Sequence, residues 1–201
     1  PVYFLRPTPG APNGDTLAGK VAKLAFSHSH GFYEEPFELN ISSETPEAVI
    51  RYTTDGSVPT ADNGQALNGP LAVGKTTVLR VVAFKPGHKP TKVVTQTYLF
   101  LKEVVRQSPD GLPPAGFHYE WGPNRVDYGM NQSVVNDERY RDKIFEGLRV
   151  IPSYSLVMDL EDLFGEDGIY ANAKEDGRDW ERLCSLELIQ GDDQEGFQEN
   201  C

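Results

Sequence analysis

Polar and apolar positions alternate with a period of two through much of the first half of the chain. In PFELNIS, residues 36–42, Phe37, Leu39 and Ile41 fall on one side and Glu38, Asn40 and Ser42 on the other, which predicts a half-buried strand. AVIRYTT, residues 48–54, repeats the pattern with Ile50 and Tyr52. TVLRVVAFK, residues 77–85, sets Leu79, Val81 and Ala83 on one side and Arg80 outward. KVAKLAFS (20–27) and KVVTQTYLF (92–100) complete the set, with the turn clusters NGQALNGP and KPGHKP between strands. No helix-period stretch interrupts residues 16–100, so this half reads as a β-sandwich with Phe37, Leu39, Ile41, Tyr52, Leu79 and Val81 toward its core.

After Leu101 the pattern changes. Residues 102–133 are rich in turn residues and scattered aromatics, as expected of a linker pinned to a surface. Asn136 then stands as an N-cap, with Asp137 and Glu138 in a first turn where a helix favours negative charge. Tyr140, Ile144, Phe145 and Leu148 form one stripe, so residues 137–147 are predicted to be a short amphipathic helix. SYSLVMD (153–159), GIYANA (168–173) and RLCSLELIQ (182–190) read as strands, and DLEDLFG as one helical turn. The expected fold class is therefore mainly β: a sandwich over 16–101, a linker over 102–133, and a mixed α/β segment over 134–201.

Charge sharpens the division. Residues 1–109 carry 11 Lys and Arg against 9 Asp and Glu, whereas residues 110–201 carry 8 against 21. A shift from +2 to −13 argues for two units of different character. The acidic half speaks against nucleic-acid partners, because phosphate contacts need clustered Lys and Arg. No apolar run approaches the roughly 20 residues of a membrane-spanning helix. The opening PVYFLRPTPG lacks the basic start and apolar stretch of a signal peptide, and a chain beginning with proline is expected to be a processed product or a piece of something longer.

Candidate chemistry is sparse. Asp55-Gly56 follows a strand; glycine supplies the positive φ of a tight turn and Asp55 can bond amides two residues on, so the pair reads as structural. Asp159, Asp162 and Asp167, with Glu161 and Glu166, crowd around a glycine and are the candidate calcium ligands. The alternation of an EF-hand loop is absent, and a solvated acidic face is the alternative reading, so no cofactor is assigned. His28 and His30 would share one face of a strand as metal ligands could, yet a third ligand is not in view. Trp121 and Trp180, with Tyr119 and Tyr128, are candidates for stacking on sugar rings, or else core and linker anchors. Glu34-Glu35 and Glu181 offer carboxylates, but nothing in the sequence makes two of them face each other across a pocket. A Gly-rich phosphate loop, a defensible Ser/His/Asp arrangement and a CxxC motif are all missing, and no catalytic residue is assigned.

The two cysteines are the remaining candidates. LCSLELIQ and GFQENC flank the turn-rich GDDQE and can form an antiparallel hairpin. If Ile189 lies opposite Gly196 or Phe197, Cys184 falls opposite residue 201 or 202, within reach of a disulfide with Cys201. Two buried free thiols, or a chain end too frayed to hold a bond, are the alternatives.

IRYTTDGSVPT followed by NGPLAVGKTTVLRVVAFKPGHKPTKVVTQTYLF resembles the chitobiase/β-hexosaminidase C-terminal domain, a fibronectin-III-like module, across residues 20–100. Tyr52, Thr53, Asp55, Gly56, Ser57, Pro59 and Thr60 carry the resemblance in order. It implies a fibronectin-III/immunoglobulin-like sandwich and a non-catalytic accessory module of secreted or cell-surface bacterial proteins, with other domains of the same parent chain and cell-surface polysaccharide as its partners. PVYFLRPTPGAPNG, residues 1–14, looks like the closing strand of a lamin-tail-type domain, which would place further chain upstream. Residues 134–199 resemble the N-terminal part of the CotH family, the spore-coat-protein-H-like kinases, at IPSYSLVMD, LFGEDGIYANA, GRDWER and GFQEN. That family's catalytic groups lie beyond the equivalent of Cys201, so none is carried over, and Leu183-Cys184 departs from its usual proline and small residue. The alternative function implied is the first part of such a kinase.

Overall fold

A computed structural model describes residues 3–4, 10, 16–121, 123–191 and 195–201, without the side chains of residues 3, 4, 16 and 121. Apart from residues 3–4 and 10, the segment likened to a lamin-tail domain lies outside the described residues, as does most of the GDDQE turn.

The mainly β architecture read from the alternation is present. The chain begins with β1 (Tyr3–Phe4), β2 (Thr16–Leu17), β3 (Gly19–Lys20), β4 (Leu24–Phe26), β5 (Gly31–Phe32), β6 (Phe37–Leu39) and β7 (Ile41–Ser43). It continues through β8 (Val49–Thr53), β9 (Gln65–Ala66), β10 (Leu71–Val73), β11 (Thr77–Phe84), β12 (His88–Lys89) and β13 (Val94–Leu99). A short α1 (Leu101–Val104), β14 (Glu120–Trp121), β15 (Asn124–Arg125), α2 (Gln132–Val135) and α3 (Arg141–Val150) follow. Last come β16 (Ser153–Met158), α4 (Leu160–Phe164), a 3₁₀ turn at Arg178–Trp180, β17 (Cys184–Ile189) and β18 (Phe197–Asn200).

The chain divides into two compact units: residues 1–29, 37–73 and 78–96, and residues 30–36, 74–77 and 97–201. In the first, β8 pairs antiparallel with β11 and with β9, β6 with β10, and β4 with β7, while β3 and β12 run parallel. The stretch expected as one strand over 36–42 changes partner at Asn40. β6 pairs with β10 before it, and after it β7 pairs with β4, with Asn40 N bonded to Ser27 Oγ at 2.9 Å. A strand that changes partner in this way is how a sandwich turns a corner. KVAKLAFS likewise breaks into β3 and β4.

Leu39, Leu79, Val81 and Ala83 have no exposed surface, and Ile41 and Val73 are buried beside them. Phe37 and Tyr52 are only half-buried: the Phe37 ring stacks on His28 at 4.2 Å, and the Tyr52 hydroxyl donates to Gln65. Arg80, expected outward, is buried instead; its Nη1 donates to the Gly56 carbonyl at 2.8 Å, so a turn carbonyl compensates the buried charge.

In the second unit β13 and β5 run parallel, and β16, β17 and β18 form an antiparallel sheet in that order. Two expectations fail here. Asn136 is the C-cap of α2, not the N-cap of a helix; Asn131 caps α2, and α3 starts at Arg141 because residues 136–140 form a turn in which Asp137 accepts from Arg139. GIYANA is a series of turns: Asn172 Nδ2 bonds the carbonyls of Glu166 and Gly168 at 2.8 and 2.9 Å, holding the chain curled where alternation suggested extension. Residues 102–133 carry the hairpin of β14 and β15, paired Glu120 with Arg125.

Register sets the faces of the β16–β18 sheet. Tyr154 pairs with Leu188 and Leu188 with Phe197, while Leu156 pairs with Leu186. These apolar residues lie on the outer face, with Tyr154 68% and Leu156 56% exposed. The inner face carries Val157, Ser185, Glu187 and Ile189, all buried.

Candidate functional site

The Asp55-Gly56 turn is built by its own side chains. Asp55 Oδ1 accepts from Ser57 N at 3.0 Å and Ser57 Oγ at 2.7 Å, and Gly56 has φ of +83°, where a Cβ would be strained. The Ser57 hydroxyl and amide hold the Asp55 carboxyl below the usual carboxylate range. The carboxylate is thus engaged in shaping a bend.

The acidic cluster is distributed over structural tasks. Asp159 caps α4 by accepting from Glu161 N at 3.1 Å. Asp162 faces the Arg182 guanidinium at 3.8 Å, and Arg182 also donates to the Asp167 carbonyl. Among the described residues no three of His, Cys, Asp and Glu are grouped to hold a metal ion.

The two histidines go separate ways because residues 28–30 bend instead of extending. His28 stacks on Phe37 and bonds Ser27 Oγ at 3.0 Å, while His30 Nδ1 meets Glu187 Oε1 at 2.9 Å. Trp180 closes the 3₁₀ turn, half-buried, with the Arg182 guanidinium 5.9 Å from its ring centre. The Trp121 side chain lies outside the described residues. Of the other candidates for stacking, Tyr119 is 62% exposed and the Tyr128 hydroxyl donates to the His118 carbonyl. Glu34 pairs with Arg149, and Glu35 lies 3.8 Å from Lys102.

Sequence reasoning passed over Glu187. It sits in β17 with no exposed surface and takes three hydrogen bonds within the second unit: Thr97 N at 3.0 Å and His30 Nδ1 at 2.9 Å on Oε1, and the Thr97 hydroxyl on Oε2. Because Thr97 Oγ1 gives its only proton to Glu187, Ser155 Oγ, 2.7 Å away, is the donor in the Ser155–Thr97 bond. A carboxylate so enclosed is satisfied by its donors and meets no substrate. No local signal marks it; the clue was a charged residue on the same side of the strand as Ile189.

The two thiols face each other across β17 and β18. Cys184 N donates to the Cys201 carbonyl at 2.7 Å, Cys201 N to the Cys184 carbonyl at 3.0 Å, and the sulfurs are 3.5 Å apart as free thiols. Burial, then the neighbouring Cys201 thiol, pushes the Cys184 thiol up from its ordinary value.

The segment that contains the Asp55 turn, the Arg80 contact and strands β6 to β12 is covered by a family model. Residues 28–95 match the family model of the chitobiase/beta-hexosaminidase C-terminal domain. The matched chitobiase-type segment takes in the buried residues Leu39, Leu79 and Val81, and it reaches neither residues 1–14 nor 134–199. No curated protein and no solved structure gives a significant match to the chain.

Proposed function

We propose that the chain is a non-catalytic, carbohydrate-associated module of an extracellular or cell-surface protein. The observation that carries this reading is the match of residues 28–95 to the chitobiase/beta-hexosaminidase C-terminal domain, on a segment folded as strands around an apolar core. The engagement of its polar groups agrees with a role in binding and spacing: Asp55 shapes a turn, Arg80 bonds a carbonyl, and Glu187 is enclosed by Thr97 and His30. Its partners in this reading are further domains of a parent chain and a cell-surface polysaccharide. The test is a glycan array, with insoluble polysaccharides in parallel, probed with the full chain. Retention on at least one polysaccharide above a serum-albumin control is the expected result, and no retention on any of them would overturn the reading.

A further inference from the structure

Helix α3 leaves apolar side chains in solvent, with Phe145 37% and Val150 65% exposed. Two depressions flank Phe145, and every residue lining them belongs to the second unit. One, of about 460 Å³, lies toward Tyr33, Glu34 and Arg149. The other, of about 540 Å³, lies toward Gln132, Asn136 and Arg141. Phe145 and Lys102 line both, so the two depressions adjoin at these side chains and together form a trough divided by the phenyl ring. Each part falls within the size range of small-molecule sites.

The lining chemistry narrows the ligand. Tyr33 is braced by the rings of Tyr98 at 5.7 Å and Phe100 at 6.3 Å, and burial raises its hydroxyl above the ordinary value, which keeps it a neutral donor. Glu34 is paired with Arg149, and Glu146 and Lys102 add one charge of each sign to the lining, so the charges at this end balance. Matched charges give a bound ion little preference. They do place acceptors and donors side by side, which is what adjacent hydroxyl groups need. An exposed ring offers the apolar platform for the C–H face of a pyranose, and the joined depressions have room for more than one ring.

We propose that this trough binds a neutral oligosaccharide, with Phe145 as the stacking platform between two sugar subsites and the Glu34–Arg149 pair bonding hydroxyls at one end. The proposal rests on the carbohydrate reading above and assigns it a site outside strands β6 to β12. Titration calorimetry of the full chain with cellohexaose and chitohexaose tests it. Phe145→Ala is expected to weaken binding about tenfold or more, while Phe145→Tyr, which keeps the ring, stays close to wild type. Unchanged denaturation midpoints in both variants, expected for a partly exposed ring, separate lost binding from lost folding. Binding by the wild type that Phe145→Ala leaves intact would overturn the trough and spare the carbohydrate reading. If the wild type binds neither hexasaccharide, the trough proposal falls, and the array then decides the wider reading on its own.

Discussion

Glu187 shows what a single buried charge demands of its surroundings. Its two oxygens take bonds from the Thr97 amide, the Thr97 hydroxyl and His30 Nδ1, so removing the carboxylate strands three donors in the interior of the second unit. Breaking such a buried pair costs about 3 kcal/mol or more, because the remaining partners lose compensation without regaining water. Glu187→Ala should therefore lower the urea midpoint of the full chain markedly, and a midpoint within error of wild type would refute the role given to these bonds. Asp55 makes a smaller, pH-dependent contribution. Its folded pKa is depressed, so the stabilisation is fully present above the unfolded carboxylate value of about 4 and is lost as pH falls through the lower folded value. Urea midpoints taken between pH 5 and pH 2 should fall further for wild type than for Asp55→Asn; parallel curves would show that the turn carries no such linkage. The Asp-Gly turn was legible in the sequence because its bonds are local, between residues two apart. Glu187 was not, because its partners are 90 and 157 residues away.

At the scale of elements, alternation located strands better than it located faces. The strands over 48–54, 77–85 and 92–100 appear as β8, β11 and β13 within one or two residues at each end. β17 has the sequence CSLELI, and alternation alone would turn Leu186 and Leu188 inward; its polar Ser185 and Glu187 are the residues that are buried. Pattern alone cannot tell which face a neighbour will cover, and here donors from Thr97 and His30 make the polar face the buried one. Local side-chain hydrogen bonds, between residues two and six apart, displaced the expected helix start at Asn136 and the expected strand at GIYANA. In the β17–β18 hairpin, paired residue numbers sum to 385, as in Ser185 with Asn200, which puts Cys184 opposite Cys201. The two residues exchange both backbone bonds, the pair type with Cα atoms about 5.5 Å apart, which a disulfide spans. We expect oxidised glutathione to take two electrons from the thiols and close a bond worth about 3 kcal/mol in the chain-entropy model. The reaction should quicken as pH rises, since the Cys184 thiol is held protonated by burial. Intact mass after alkylation without reductant reads the outcome: no modified thiols supports the bond, and two would refute it.

For the whole molecule, composition announced two characters but not where the chain passes between them. The charge shift near residue 109 suggested one crossing, whereas the second unit also takes in residues 30–36, 74–77 and 97–109. β11 and β13 each contribute residues to both units, so a cut after residue 101 separates pieces that the second unit holds together. Such a cut removes Glu187 from Thr97 and from His30, and leaves the Thr97 amide and hydroxyl without their acceptor. It spares the core residues Leu39, Leu79, Val81 and Ala83, which lie wholly in the first unit. A segment of residues 16–101 expressed alone should therefore show β-type circular dichroism and a single cooperative transition, because the burial that drives folding is retained. Its urea midpoint should nevertheless lie below that of the full chain, by an amount that Glu187→Ala in the full chain partly reproduces. A segment as stable as the full chain would show that the contacts of residues 30–36 and 97–101 with the later chain contribute nothing, and a segment without a cooperative transition would show that the first unit's core is insufficient by itself.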